Sequence, residues 1–297
     1  MQEPVISFYE WRERYATEEA CAAQLAALRW PNGFQCPHCG HDHGWYQNSR
    51  RLYECARCHR QTSITAGTVL HGSRLPLTKW FWALYWMSMD KGSISALRLT
   101  KLIGVQWRSA YTLLRKLRIA MAHRDSLYRL AELIEVDDAY IGGSKTGKAG
   151  RGCGRTPVLV AIETTDEGKP GFVAIEVLDS LEKPHIIDFA ERRLQPGAVT
   201  HSDAFSSLRG LATHTTHIAK ITPPEEADDW LPWVHLVISN LKRFLLGTYH
   251  GAVRSSHLQE YIDEFVYRFN RRFWEPQIPN RLLRLCVEHA PIALRGT

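Results

Sequence analysis

Four cysteines in two C-x-x-C pairs, Cys36/Cys39 and Cys55/Cys58, stand in the first fifth of this 297-residue chain with fifteen residues between the pairs. That spacing predicts a structural zinc site, because four thiolates complete a tetrahedron around Zn²⁺ and leave no open position for chemistry. His38, His41, His43 and His59 lie nearby, but a four-thiolate site does not need them. A second set of residues has the chemistry of a hard-cation site. Asp137 sits inside the β-branched apolar run 133–141, where an unpaired carboxylate is costly, and Asp203 closes the short β-rich run 199–202. Two carboxylates at neighbouring strand ends would hold Mg²⁺ or Mn²⁺, and a pair of such ions can activate an attacking oxygen while stabilising a leaving one. Taken alone, a strand-end aspartate is more often a turn or helix cap than a metal ligand.

The elements that must position these residues follow from periodicity. Residues 7–28 read as helix, with Thr17 offering an N-cap for a second helix inside the stretch. Between the cysteine pairs, 44–46 and 51–54 read as the two strands of a small hairpin, so the segment to about residue 65 is a zinc ribbon. From residue 78 the pattern is helical, and 95–103 and 107–121 are two helices joined through Gly104-Val105, which is helix-turn-helix grammar. The second of these carries Arg108, Arg115, Lys116 and Arg118, read as a polar face able to enter a major groove. Beyond residue 130 come strands at 133–141, 157–163, 172–178 and 199–202, then helices at 182–194, 230–246 and 257–273. Strands first, then helices, with aspartates at strand ends, predict a mixed α/β domain with its chemistry at one rim of the sheet. The loop 142–152, with Lys145, Lys148 and Arg151, lacks the order of a phosphate-binding loop. It reads either as a grip on a DNA backbone or as a solvated hairpin.

Composition narrows the class. The net charge of +6 leans toward a polyanionic partner. No apolar run is long enough for a membrane span, and the N-terminus lacks the basic and apolar regions of a signal peptide, so a cytoplasmic location is expected. Cys21, Cys153 and Cys286 are scattered, as suits reduced thiols.

The segments 135–143, Ser202-Asp203, 235–242 and 246–251, with 257–272 and the N-terminal ribbon, resemble the DDE transposases of bacterial insertion sequences, in the ISXO-like branch. The resemblance implies an RNase H-like α/β catalytic domain preceded by a zinc ribbon and a helix-turn-helix segment. It implies Asp137 and Asp203 as the first two acidic ligands, and Mg²⁺ or Mn²⁺, two ions, as the catalytic cofactor beside one structural Zn²⁺. The third position departs from the usual Glu. Seven residues before Lys242 stands His235, and seven residues turn a helix by about 700°, which leaves the two side chains about 20° apart on one face. Asn240 is the competing candidate, about 200° from Lys242 and a weaker ligand. Lys242 is read either as a solvated helix residue or as a backbone clamp near the scissile phosphate, and Arg268, Arg271 and Arg272 as either a solvated face or a DNA contact. The expected organisation is a helical segment (1–30), the ribbon (31–68), the helix-turn-helix segment (76–125), the catalytic domain (130–275) and a C-terminal tail (276–297). The expected function is transposition: binding of double-stranded terminal repeats and target DNA, by a homo-oligomer, with metal-dependent strand cleavage and transfer. The alternative is a zinc-ribbon DNA-binding regulator, or a domesticated transposase without activity.

Overall fold

The computed structural model describes residues 6–142, 155–223, 227–250 and 253–289. The basic loop bearing Lys145, Lys148 and Arg151 falls outside them. The chain divides into two compact units, residues 1–121 with 273–297, and residues 122–272.

The first unit opens with α1 (Phe8–Arg14), started by a capping box between Ser7 and Glu10, and α2 (Glu18–Arg29). Thr17 caps α2 as expected, its Oγ1 accepting from the Ala20 amide at 3.2 Å. The ribbon has three antiparallel strands rather than two: β1 (Gly44–Gln47), β2 (Leu52–Cys55) and β3 (Gln61–Ser63). Arg29 ties α2 to the end of β3 by donating to the carbonyls of Ser63 and Ile64.

Next come α3 (Leu77–Met89), α4 (Ala96–Ile103) and α5 (Trp107–Asp125), whose last residues belong to the second unit. α4 ends at Gly104 in the left-handed region at φ 63°, a conformation that glycine adopts without a Cβ penalty. α5 does not present the polar face read from its sequence. Arg115 and Arg118 are buried, and Lys116 is turned inward to donate to the carbonyls of Val69 and His71. Arg108, at the start of the helix, is exposed. Long cationic side chains carry apolar stems that pack, so charge alone did not mark a solvated face.

The stretch expected as a tail contains α10 (Ile278–Glu288), which packs against α3 and α2. Ile278, Leu282, Leu285 and Cys286 are buried along it, and Pro279 sits in the first turn, where a missing N–H costs nothing.

The second unit is built on a five-stranded sheet of β4 (Leu133–Ile141), β5 (Thr156–Thr164), β6 (Pro170–Val177), β7 (Val199–Asp203) and β8 (Thr216–Lys220). The order across the sheet is β6-β5-β4-β7-β8. β4, β5 and β6 pair antiparallel, whereas β7 joins β4 and β8 joins β7 in parallel. α6 (Lys183–Arg193) and the 3₁₀ segment Ser206–Thr213 supply the apolar side chains that cover one face. α8 (Pro232–Tyr249), preceded by the short α7 (Ala227–Trp230), and α9 (Ser255–Phe269) cover the other. With both faces covered, Val158 to Ile162 of β5 are fully buried.

The outer edge of β6 is closed by side chains from α9 and its end. Gln259 and Asn270 each accept from one β6 amide and donate to one β6 carbonyl, so part of the strand's open ladder is satisfied. Arg271 and Arg272 are structural too. Arg271 pairs with Asp125 at 2.8 Å with both buried, and Arg272 donates to the carbonyls of Pro170, Gly171 and Phe269. No helix among the described residues is long and apolar enough to cross a membrane.

Candidate active site and zinc centre

Two mirrored turns bring the cysteines together. In the first, the Cys36 amide donates to the His41 carbonyl and the Gly40 amide to the Cys36 carbonyl. In the second, the Cys55 amide donates to Arg60 and the His59 amide to Cys55. Gly40 takes φ 71° and His59, its counterpart, takes φ 53°. All four Sγ atoms lie within 4.8 Å of one another, with Cys36–Cys58 at 3.7 Å and Cys39–Cys55 at 3.6 Å. Tetrahedral zinc with Zn–S bonds of about 2.3 Å places sulfurs about 3.8 Å apart, so the four cysteines are positioned for one zinc ion. Phe34, stacked on Tyr53 at 4.7 Å, and Trp30 pack around the cluster and shield it on one side.

In the second unit the sheet register brings the two aspartates side by side. Val136 of β4 pairs with Ser202 of β7, so Asp137 and Asp203 occupy the next matching positions, on adjacent parallel strands and the same face. β7 ends there, and β4 continues four residues further, at the place where the strand order reverses between β5 on one side and β7 on the other. Clefts beyond strand ends at such a switch point are the usual ligand sites of open α/β sheets. Each carboxylate has one oxygen fixed by a backbone amide, Asp137 Oδ1 by Asp138 at 2.8 Å and Asp203 Oδ1 by Phe205 at 3.0 Å.

α8 carries the third residue. His235 Nε2 lies 3.4 Å from Asp137 Oδ2, both side chains being partly buried. Lys242, two turns further along α8, is exposed. Asn240 is half-buried on the same helix. Among the described residues, only the four cysteines gather three or more candidate ligand atoms within 4.8 Å of one another, so Asp137, Asp203 and His235 converge less tightly.

What holds α8 in place was not evident from the sequence. α8 starts after Leu231 with no side-chain cap of its own. Glu135, two residues before Asp137 on the same face of β4, supplies one: its Oε2 accepts from the amides of Trp233 and Val234, both at 2.9 Å. Burial raises the Glu135 pKa, and the two amides and the Thr164 hydroxyl counter it only in part. A carboxylate at a helix N-terminus also meets the positive end of the helix dipole. One strand therefore carries Asp137 and the anchor of the helix bearing His235. Trp230 ties the other strand: its Nε1 donates to the Ser202 carbonyl at 2.9 Å, and its ring stacks on His201 at 4.4 Å. Burial lowers the pKa of His201 and His217, which keeps both neutral near pH 7. The signal for Glu135 was a second acid at i−2 in an apolar strand, where only a buried partner makes it tolerable.

Comparison with known proteins agrees with this division. Residues 16–61 match the transposase zinc-ribbon domain family, and residues 129–270 match the ISXO2-like transposase domain family. A curated relative, described as an uncharacterized protein in transposable element ISH50 of Halobacterium salinarum, is 32% identical over 142 residues. That match spans 46% of this chain and 45% of the relative, less than half the length of either. Two domain matches in this order, together with the halobacterial relative, show the chain to be similar to DDE-type insertion-sequence transposases of the ISXO-like branch with an N-terminal zinc ribbon.

Proposed function

We propose that this chain is a transposase that binds the terminal repeats of its element and catalyses metal-dependent strand cleavage and strand transfer in the cytoplasm. The observation that carries the reading is the meeting of Asp137 and Asp203 on adjacent parallel strands, with His235 3.4 Å from Asp137. The sheet supports an RNase H-like assignment, since its five strands run in the order third, second, first, fourth, fifth and only the second is reversed. The short left-handed turn between α4 and α5 supports a helix-turn-helix, although Arg115, Lys116 and Arg118 do not serve it.

The donor set fits a divalent cation, with two carboxylates on one face and an imidazole aimed at the first. Asp137, Asp203 and His235 would hold it. When bound, Mg²⁺ or Mn²⁺ would polarise a phosphodiester and stabilise the charge that develops on it. The chain's own residues then orient the strand. Lys242, on the His235 face of α8, is a point charge on a flexible stem, suited to holding a neighbouring backbone phosphate. Hydrolysis of one phosphodiester frees a 3′-hydroxyl, whose attack on a target phosphodiester makes one P–O bond and breaks another. Both steps are in-line displacements, so one site serves for both.

The test is incubation of the purified protein with its element's end DNA and Mg²⁺ or Mn²⁺, assayed for strand nicking. Nicking that requires the cation and the end sequence is the expected result. End binding without nicking in either metal would replace this reading with a DNA-binding regulator, which the histidine in place of the usual glutamate would then explain.

A further inference from the structure

A cleft of about 390 Å³ opens in the first unit between the turn before α3 and the first half of α5. Three cationic side chains, Arg74, Arg108 and Lys116, and three hydroxyls, Ser73, Ser109 and Thr112, line it, and none of its described lining residues is acidic. Trp80 and Leu113, both buried, contribute an apolar wall. The walls are fastened from within. Trp80 Nε1 donates to Ser73 Oγ at 2.9 Å, while Lys116 Nζ donates to the carbonyls of Val69 at 3.1 Å and His71 at 2.9 Å. Residues 69–73 are thus pinned before Arg74 reaches the surface. Burial lowers the Lys116 pKa, the mark of an ammonium partly stripped of water, which gains from a nearby anion.

Guanidinium forks and hydroxyl donors are the groups that contact phosphate in nucleic-acid complexes. The volume falls within the range of ligand clefts, about 300 to 1,000 Å³, and accommodates a phosphate with part of its sugar. We propose that this cleft binds a phosphate group of a nucleic-acid strand, held by Arg74 and Arg108 with the hydroxyls of Ser109 and Thr112. The proposal rests on the reading of the chain as a DNA-acting enzyme, and adds to it a backbone-binding site in the unit that lacks Asp137 and Asp203.

The test is titration of the full-length protein with a short duplex of arbitrary sequence at several salt concentrations, for wild type, Arg74→Ala, Arg108→Ala and Thr112→Val. Arg74 and Arg108 are exposed, so their replacement spares the core, and unchanged zinc content and circular dichroism would verify this. Each arginine variant should bind severalfold more weakly whatever the sequence. The slope of log K against log salt should flatten by about 0.9 for each phosphate that is no longer neutralised. Unchanged affinity and slope in both arginine variants would overturn the cleft assignment, while binding and nicking by wild type would leave the transposase reading standing. No duplex binding by wild type would remove both. Inorganic phosphate and a nucleoside monophosphate serve as competitors. Displacement of the duplex by the mononucleotide at low concentration, abolished by Arg74→Ala, would make a free nucleotide the occupant and overturn the strand assignment.

Discussion

Asp137 and His235 face one another at 3.4 Å, and which of the α8 side chains joins the two aspartates decides how the proposed site works. His235 Nε2 is 3.4 Å from Asp137, so His235→Ala should reduce nicking more than Asn240→Ala does. Removing groups that merely orient a metal ligand typically costs 10- to 100-fold, so losing a ligand itself, as in Asp137→Asn or Asp203→Asn, should cost more than about a hundredfold. His235→Glu supplies an oxygen donor that suits Mg²⁺ and should keep or raise Mg²⁺-dependent nicking. A second residue-scale prediction concerns Asp263 on α9. It lines a small enclosed cavity of about 20 Å³ with Asp125 and Arg193. Burial raises its pKa to about 7, with Asp125 and Glu176 adding to the rise against the Gln259 hydrogen bond and the Arg193 charge. The folded state therefore holds a proton that the unfolded chain releases above about pH 4. This group's contribution to stability is full at low pH and falls between about pH 4 and 7, by at most about 4 kcal/mol. Denaturant unfolding of wild type against Asp263→Asn across that window should show the difference; parallel curves would contradict the assignment.

α3 and α8 begin in the same way, with no capping side chain of their own, and each is closed by a distant glutamate. Glu18 accepts from the amides of Leu77 and Thr78, as Glu135 does from those of Trp233 and Val234. Leaving a buried donor unsatisfied costs about 1–3 kcal/mol, so Glu135→Ala should destabilise the second unit by about 2–4 kcal/mol and loosen His235. Glu135→Gln keeps an acceptor oxygen and should recover most of that stability, which chemical denaturation would measure. Much of this architecture was legible in the sequence. The β-branched runs announced β4, β5, β6 and β7, and apolar periodicity announced α2, α3, α6 and α9, because in those segments local preference and burial agree. Where they part, the reading failed. β8 is short and mostly exposed, so no alternating pattern marks it. α10 was obscured by Pro276 and Pro279. The roles of Glu18, Glu135 and Arg271 were not visible in the sequence, since their partners lie far off along the chain and only the fold brings them together. The two aspartates were visible individually, whereas their matching register across β4 and β7 was not.

The molecule joins two units whose stabilities have different sources. Most of the second unit's support is a sheet buried on both faces, while the ribbon in the first is a three-stranded sheet around four thiols. Structural zinc contributes about 10–16 kcal/mol in isolated zinc-finger peptides, far more than so small a core can supply. Elemental analysis should find about one zinc per chain. Cys36→Ser should release it and unfold the ribbon, leaving the circular dichroism of the sheet in the second unit intact. The central claim, that Asp137, Asp203 and His235 form one cation site, is tested most directly by Mn²⁺ binding to the zinc-loaded full-length chain, followed by electron paramagnetic resonance. Mn²⁺ favours oxygen and nitrogen donors, so the thiolate ribbon should not interfere. The expected result is Mn²⁺ binding that is lost in Asp137→Asn and Asp203→Asn, weakened in His235→Ala and unchanged in Asn240→Ala. Binding indifferent to both aspartates, or lost with Asn240 and retained without His235, would contradict it.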